Sequence, residues 1–257
     1  MPLLIGTSGW HYKHWKPTFY PAGMGSARWL AFYAGRFATV EINNAFYRLP
    51  DLATFEHWRD SVPGDFVFAV KASRYLTHVK RLRDPEEPVA RLIGRARGLG
   101  PRLGPILIQL PPNLLVDPHH LDATLAAFKG AVRLAVELRH RSWFVDEVRE
   151  VLEERGAALC LADSWSVDTP MWRTADWAYI RLHGGIGMPA SCYKPRELAA
   201  WRERLTANWA PGDDIYCFFN NDAHGCALRD ARRFAEGWLE AGWSVTRVPP
   251  SGQTHVS

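Results

Sequence analysis

The stretch richest in chemistry is residues 134–143, LAVELRHRSW. It begins as a buried strand, with Leu134, Ala135 and Val136 apolar in a row, and then turns abruptly to charge. Side chains on a strand alternate faces, so Glu137 and Arg139 point the same way, with Ala135 behind them. A carboxylate and a guanidinium leaving the end of a buried strand are costly unless they face each other or a cavity. Other apolar runs end the same way. Residues 39–42 carry Glu41 and lead to Asn43, and 66–71 close on Lys71. Residues 106–109 close on Gln109, and 158–162 are followed by Asp163. Residues 177–182 carry Arg181 and lead to His183, and 215–219 precede Asn220 and Asn221. The first run, 3–6, breaks at Thr7-Ser8-Gly9 and leads to Trp10 and Tyr12.

These residue types suit a small anion. Lys71, Arg74, Arg139 and Arg181 are cations, and an arginine fork bonds an oxyanion through two donors. Glu137, Asp163 or Glu41 would serve as general base and His183 as acid or base, because partial burial and nearby cations tune a carboxyl in opposite directions. Ser8, Trp10, Tyr12, Asn43, His78, Gln109, Asn220 and Asn221 would line the same site.

Positioning so many scattered groups needs a repeating scaffold. Helical periodicity falls at about 26–37, 51–60, 85–99, 118–128, 145–155, 196–209 and 226–241, between the apolar strands. Asp51 is a helix cap, and Gly156 and Gly242 are helix stops. Strand then helix, about eight times over, predicts parallel strands joined by crossovers, which close into a single (β/α)8 TIM-type barrel. A doubly wound open sheet is the rival, but no GxGxxG follows the first strand. The 257 residues form one domain on this reading, with a polar tail after about 248. In such barrels the C-terminal ends of the strands form the active site.

Composition narrows the classes. At 47% hydrophobic and 23% charged, the chain has enough apolar residues for a core and is not globally disordered. A net charge of +4 suits an anionic ligand but is too small by itself to argue for nucleic acid. The four cysteines, Cys160, Cys192, Cys217 and Cys226, form no CxxC pair and read as reduced thiols. Cys226 starts a helix near His224, a weak nucleophile signal. The start lacks a basic leader and a long apolar run, so the expectation is a cytoplasmic protein with no membrane partner.

Three loops carry two readings each. Thr7-Ser8-Gly9 is either a tight turn or an anion nest of exposed backbone amides. The basic loop 74–83 is either solvated or a phosphate clamp. Gly184-Gly185-Ile186-Gly187 either lets backbone approach a ligand or only loosens the loop.

Seven segments together resemble the YecE-like family, also called domain of unknown function 72. They are IGTSGWHYKHWKPTFYP, TVEINNAFYRLP, VKASRYLTHVKRL, ILIQLPP, LAVELRHRSWF, YIRLHG and YCFFNNDAHGCALRDARRF, spanning residues 5–234. The resemblance implies a TIM-type barrel and supplies no reaction or catalytic residues. The segment between the sixth and seventh strands matches least well.

The site therefore supports three readings. In the first, a metal-free pocket binds a small anionic or phosphorylated molecule and performs hydrolase-like or isomerase-like acid–base chemistry. In the second, Glu137, Asp163 and His183 hold a divalent metal, as in xylose-isomerase-like and endonuclease-IV-like barrels. Asn220 stands where those barrels supply another carboxylate, and Arg139 and Arg181 would compete with the cation. In the third, the protein binds nucleic acid, with loop 74–83 pairing phosphates and Trp10, Tyr12 and Trp15 stacking bases. A Schiff base on Lys71 needs a depressed lysine pKa. Nothing in the sequence speaks to oligomeric state.

Overall fold

The computed structural model describes residues 2–164, 167–184 and 192–250. Its framework is a parallel sheet of eight strands, β1 (Leu4–Thr7), β2 (Thr39–Ile42), β3 (Val67–Lys71), β4 (Leu103–Gln109), β5 (Leu134–Glu137), β6 (Ala158–Ser164), β8 (Trp177–Leu182) and β9 (Asp214–Phe219). They run in the order β1-β9-β8-β6-β5-β4-β3-β2, so the first two strands meet and the sheet curls into a nearly closed barrel. A two-residue strand, β7 (Val167–Asp168), pairs antiparallel with the end of β6. No sequence pattern announces it, because two residues are too few to show a period.

Helices cover the outside: α1 (Trp29–Ala34), α2 (Asn44–Tyr47), α3 (Leu52–Asp60), α4 (Glu86–Ala96), α5 (Pro118–Ala127), α6 (Asp146–Glu154), α7 (Pro195–Thr206) and α8 (Cys226–Glu240). Caps explain several starts. Asp51 accepts from the Thr54 amide at 2.8 Å, and Asp117 accepts from the His120 amide at 3.0 Å with Pro118 at the first helical position. The expected helix over 26–37 is shorter, and residues 26–28 form a separate tight turn. Likewise α4 stops at Ala96, where a tighter turn over 97–102 follows and Gly100 takes a φ of 52°.

Alternation sorts the strands into two layers. Leu4, Ala69, Leu107, Ala135, Ala158, Cys160, Ala162, Trp177, Tyr179, Tyr216 and Phe218 fill the barrel interior. Bulk on β8 and β9 faces alanine on β3, β5 and β6, so the interior fills without a pore. Intervening residues pack outward against the helices in a second, larger core.

The seam between β1 and β2 has no backbone ladder. Gly6 sits there because a Cβ would run into the Thr39 carbonyl. The Tyr33 hydroxyl closes the gap: it accepts from the Thr7 amide at 3.0 Å and donates to the Thr39 carbonyl at 3.1 Å.

Cysteine chemistry differs from the sequence expectation. Cys160 and Cys217 are buried free thiols, but Cys192 and Cys226 form a disulfide, so Cys226 is not a free nucleophile. The two are 34 residues apart, and no spacing rule pairs them. Among the described residues, no helix is long and apolar enough to cross a membrane.

Tyr33→Phe removes the seam hydroxyl and orphans a buried amide. It should destabilise the fold by about 1–3 kcal/mol, read as a lower urea midpoint with an unchanged slope.

Candidate functional site

The strand ends converge as the alternation requires, and their centre is an ion-pair bridge. Arg181 on β8 is fully buried. Its Nη2 donates to Glu41 on β2 at 2.9 Å, and its Nη1 donates to Glu137 on β5 at 2.6 Å. The bridge thus crosses the barrel from one wall to two others. Tyr179, two residues before Arg181 on the same face, donates to the other Glu41 oxygen at 2.7 Å. Gln109 donates to Glu137 Oε2 at 2.9 Å, and Arg139 Nε to Oε1 at 2.7 Å.

Both carboxylates are therefore saturated. Burial alone would raise the pKa of each. The Arg181 charge, helped by Tyr179 at Glu41 and by Arg139 at Glu137, outweighs it and holds both below the usual glutamate value of 4.5. Glu41 and Glu137 stay ionised at neutral pH, and Arg181 is committed to them. The expectation that Arg181 binds a ligand anion gives way: it neutralises two glutamates.

Around this core lie groups with spare valence. Lys71 ends β3 with its ammonium over the Phe46 ring at 4.1 Å and no carboxylate within ion-pair distance among the described residues. Burial, then the Arg181 charge, lowers its pKa to about 8. Arg139 spends only Nε on Glu137, leaving both terminal nitrogens without a protein partner among the described residues. His78 bonds Thr77 through Nδ1 and meets the edge of Phe46 at 5.0 Å. Its pKa falls to about 4 through burial and the charges of Lys71 and Arg74. Arg74 itself is exposed.

His183 is the second neutral imidazole. The Asn220 amide donates to Nδ1 at 3.0 Å, which puts the proton on Nε2. Nε2 lies 3.9 Å from Glu137 Oε1 and has no hydrogen-bond partner among the described residues. Burial, then Arg181, lowers the His183 pKa to about 3. Three further buried polar atoms at this end lack partners among the described residues: Ser8 Oγ, Asn43 Oδ1 and Arg181 Nε. Unsatisfied buried groups are rare, and four on inward-facing positions of β1, β2 and β8 or their immediate continuations mark one spot.

Several expected site residues lie elsewhere. Asp163 has the opposite parity to Ala162 and points out of the barrel. It accepts from the His183 amide at 2.6 Å and from the Tyr193 hydroxyl, so it fixes the backbone behind His183. Asn221 is outward too, bonded to Asp230 on α8 at 2.8 Å. The Tyr193 amide donates to the same Asp230 at 2.8 Å, and Cys192 beside it is tied to Cys226. Trp10 packs edge-on against Trp58 at 5.2 Å and is 6% exposed, while Trp15 is 0% exposed, so neither can stack a base. Tyr12 turns back to donate to the Ser8 carbonyl at 2.6 Å. The proposed nest at 7–9 is closed, because the Ser8 and Gly9 amides donate to Phe219 and Thr7. Residues 185–187 of the glycine stretch lie outside the described residues.

With Asp163 turned away, Glu137, Asp163 and His183 do not assemble as metal ligands. Among the described residues no group of three or more His, Cys, Asp or Glu side chains could hold a metal ion.

Two site residues escaped the sequence reading. Tyr179 was legible by parity, two positions before Arg181. Phe46, the face beneath Lys71, sits on the short turn α2, which has no periodic signal.

The linkage sign at the bridge is definite. Glu41 and Glu137 have depressed folded pKa values, so their stabilisation is complete above 4.5 and lost as pH falls through the folded values. Arg181→Met would strand two buried carboxylates and cost about 3–5 kcal/mol at neutral pH. The deficit should shrink as pH falls from neutrality toward 4.5, because burial without Arg181 raises the folded carboxyl pKa values and the stranded acids protonate in that window, as followed by urea titration at several pH values.

Comparison with known proteins agrees with this barrel. The family described as "Protein of unknown function DUF72" matches residues 4–254. The chain is 30% identical over 157 residues to the UPF0759 protein YecE of Escherichia coli, a match covering 60% of this chain and 54% of that protein, about half its length. It is 25% identical over 268 residues to the UPF0759 protein YunF of Bacillus subtilis, covering 91% and 94% of the two chains. The crystal structure of a DUF72 family protein from Thermotoga maritima superimposes with a TM-score of 0.78 at 28% identity, covering 93% of this chain and all of that one. The chain, a TIM-type barrel with a buried glutamate–arginine–glutamate bridge at its mouth, belongs to the DUF72 family.

Proposed function

We propose that the C-terminal mouth of the barrel binds a small organic anion, carrying a phosphate or carboxylate, and acts on it by acid–base chemistry of the hydrolase or isomerase kind. The carrying observation is a surplus of positive charge. Glu41 and Glu137 are both consumed by Arg181, Arg139, Tyr179 and Gln109, yet Lys71 and Arg74 add two further cations to the same end. The two free arginine nitrogens of Arg139 suit two oxygens of one oxyanion.

Saturation of the carboxylates moves proton exchange onto other groups. His183 and His78 are held neutral by burial and by neighbouring cations, and His183 offers an unpartnered Nε2–H beside the bridge. Lys71, lowered to about 8, is a base of useful strength near neutral pH. The reading includes no metal and places the protein in the cytoplasm, where Cys160 and Cys217 stay reduced. The Cys192–Cys226 bridge is the observation that weighs against that location, because a cytoplasmic pool tends to reduce such a pair.

Nucleic acid is the second reading, and one observation favours it. Tyr47 is 81% exposed and Tyr75 41% exposed, flanking a groove lined by Arg48, Arg91 and Arg95. Those rings, unlike Trp10, reach the surface, with the Arg91 guanidinium 5.6 Å from the Tyr75 centroid.

Inorganic phosphate and sulfate should raise Tm in proportion to the logarithm of their concentration. Arg139→Ala should weaken that apparent affinity by about tenfold or more, the loss of a charge-assisted pair. No anion-dependent rise, together with oligonucleotide binding that weakens steeply with salt, would move the function to the tyrosine groove.

A further inference from the structure

Lys71 is the chemically unusual group at this mouth, and acid–base work does not exhaust what it can do. A buried ammonium ordinarily finds a carboxylate. Here both carboxylates in range are spent on other partners, and Arg181 and Arg139 add like charge. What holds Lys71 is the Phe46 face at 4.1 Å. A ring face stabilises the cation far less than an ion pair does, and it leaves the amine able to form a bond elsewhere. The side chain is 9% exposed and follows inward-facing Ala69 by two residues, so it points along the barrel axis toward the mouth.

We propose that Lys71 is a nucleophile that forms an imine with a small carbonyl compound bearing an anionic group, an oxo acid or a phosphorylated ketone or aldehyde. The proposal rests on the anion reading above, since Arg139 and Arg74 would hold the charged end while Nζ meets the carbonyl. An amine that is neutral in appreciable fraction near pH 8 is competent for this step.

The chemistry balances without an external oxidant or reductant. The ammonium first gives up one proton. The Nζ lone pair then bonds to the carbonyl carbon, the C=O pair moves to oxygen, and a proton passes from nitrogen to that oxygen. The proton released first returns to the hydroxyl, which leaves as water when the nitrogen lone pair forms C=N. In sum, one ammonium and one carbonyl give one iminium and one water. His78 and His183 are neutral imidazoles on the same rim and can relay these protons.

The test is reductive trapping on the full chain. Pyruvate or dihydroxyacetone phosphate is added with sodium borohydride, whose hydride converts an iminium to a stable secondary amine. The expected result is one adduct, heavier by the probe less one oxygen atom, mapped to Lys71 by peptide mass spectrometry. Lys71→Arg should lose the adduct to background while phosphate still raises its Tm. If that variant does not fold, the peptide map of the unaltered protein decides alone. No adduct with either probe, or label spread over surface lysines, would overturn the imine. If phosphate still raised Tm in that case, the anion reading would stand. An adduct at Lys71 with no phosphate effect would strike the anion reading instead.

Discussion

A guanidinium clamped between two glutamates inside a barrel is the constraint on which the mouth of this protein depends. Each ion alone would cost several kcal/mol to bury, and the three repay one another only because the geometry is tight. Arg181 reaches Glu41 at 2.9 Å and Glu137 at 2.6 Å, and Tyr179 and Gln109 fill remaining acceptor sites. A Lys in place of Arg181 would have no second arm to span β2 and β5. The bridge fixes three strand ends relative to each other, and it fixes the charge state of everything nearby. With the carboxylates ionised at neutral pH and spent, Lys71, Arg139 and His183 sit in the field without being neutralised by it.

Outward-facing side chains hold the mouth from behind. Asp163 holds the His183 amide and the Tyr193 hydroxyl, Asp230 holds Tyr193 and Asn221, and Asn220 orients the imidazole. The Cys192–Cys226 disulfide pins the chain beside Tyr193 to the start of α8. His183 is thus positioned by β6, β8, β9 and α8 at once. Rigid support of this kind is what a proton donor needs if its Nε2–H is to keep one direction.

The sequence made the barrel legible because two periods, two and 3.6, alternated cleanly along nearly the whole chain. Glu137, Arg139, Glu41, Lys71, Gln109 and His183 were recoverable from the same rule, because inward parity at a strand end is local information. The rule failed where it was not applied to its limit. Asp163 follows Ala162 and therefore points the other way, and Asn221 differs from Asn220 by the same single step. Parity could also have found Tyr179. What no local pattern carries is partner choice. That Arg181 serves two glutamates 140 and 44 residues away, that Tyr33 closes the barrel seam, and that Cys192 pairs with Cys226 are facts of long-range packing. Trp10 and Trp15 misled for a related reason: an aromatic after a strand reads the same whether it lines a site or fills a core.

The distribution of unsatisfied groups adds an argument independent of charge. A packed barrel end built only for stability would satisfy or remove buried polar atoms, since each orphan costs about 1–3 kcal/mol. Ser8 Oγ, Asn43 Oδ1, Arg181 Nε and His183 Nε2 have no partner among the described residues at one end of this one. Two are certain donors, one is an acceptor, and the serine can be either. A lone sulfate offers only acceptors and cannot satisfy Asn43 Oδ1. A molecule with both an anionic group and a hydroxyl can accept from His183 Nε2 and donate to Asn43 Oδ1. The polar inventory therefore favours a hydroxyl-bearing organic anion over an oxyanion without a proton, and a hydroxylated oxo compound meets both this demand and that of the unpaired lysine.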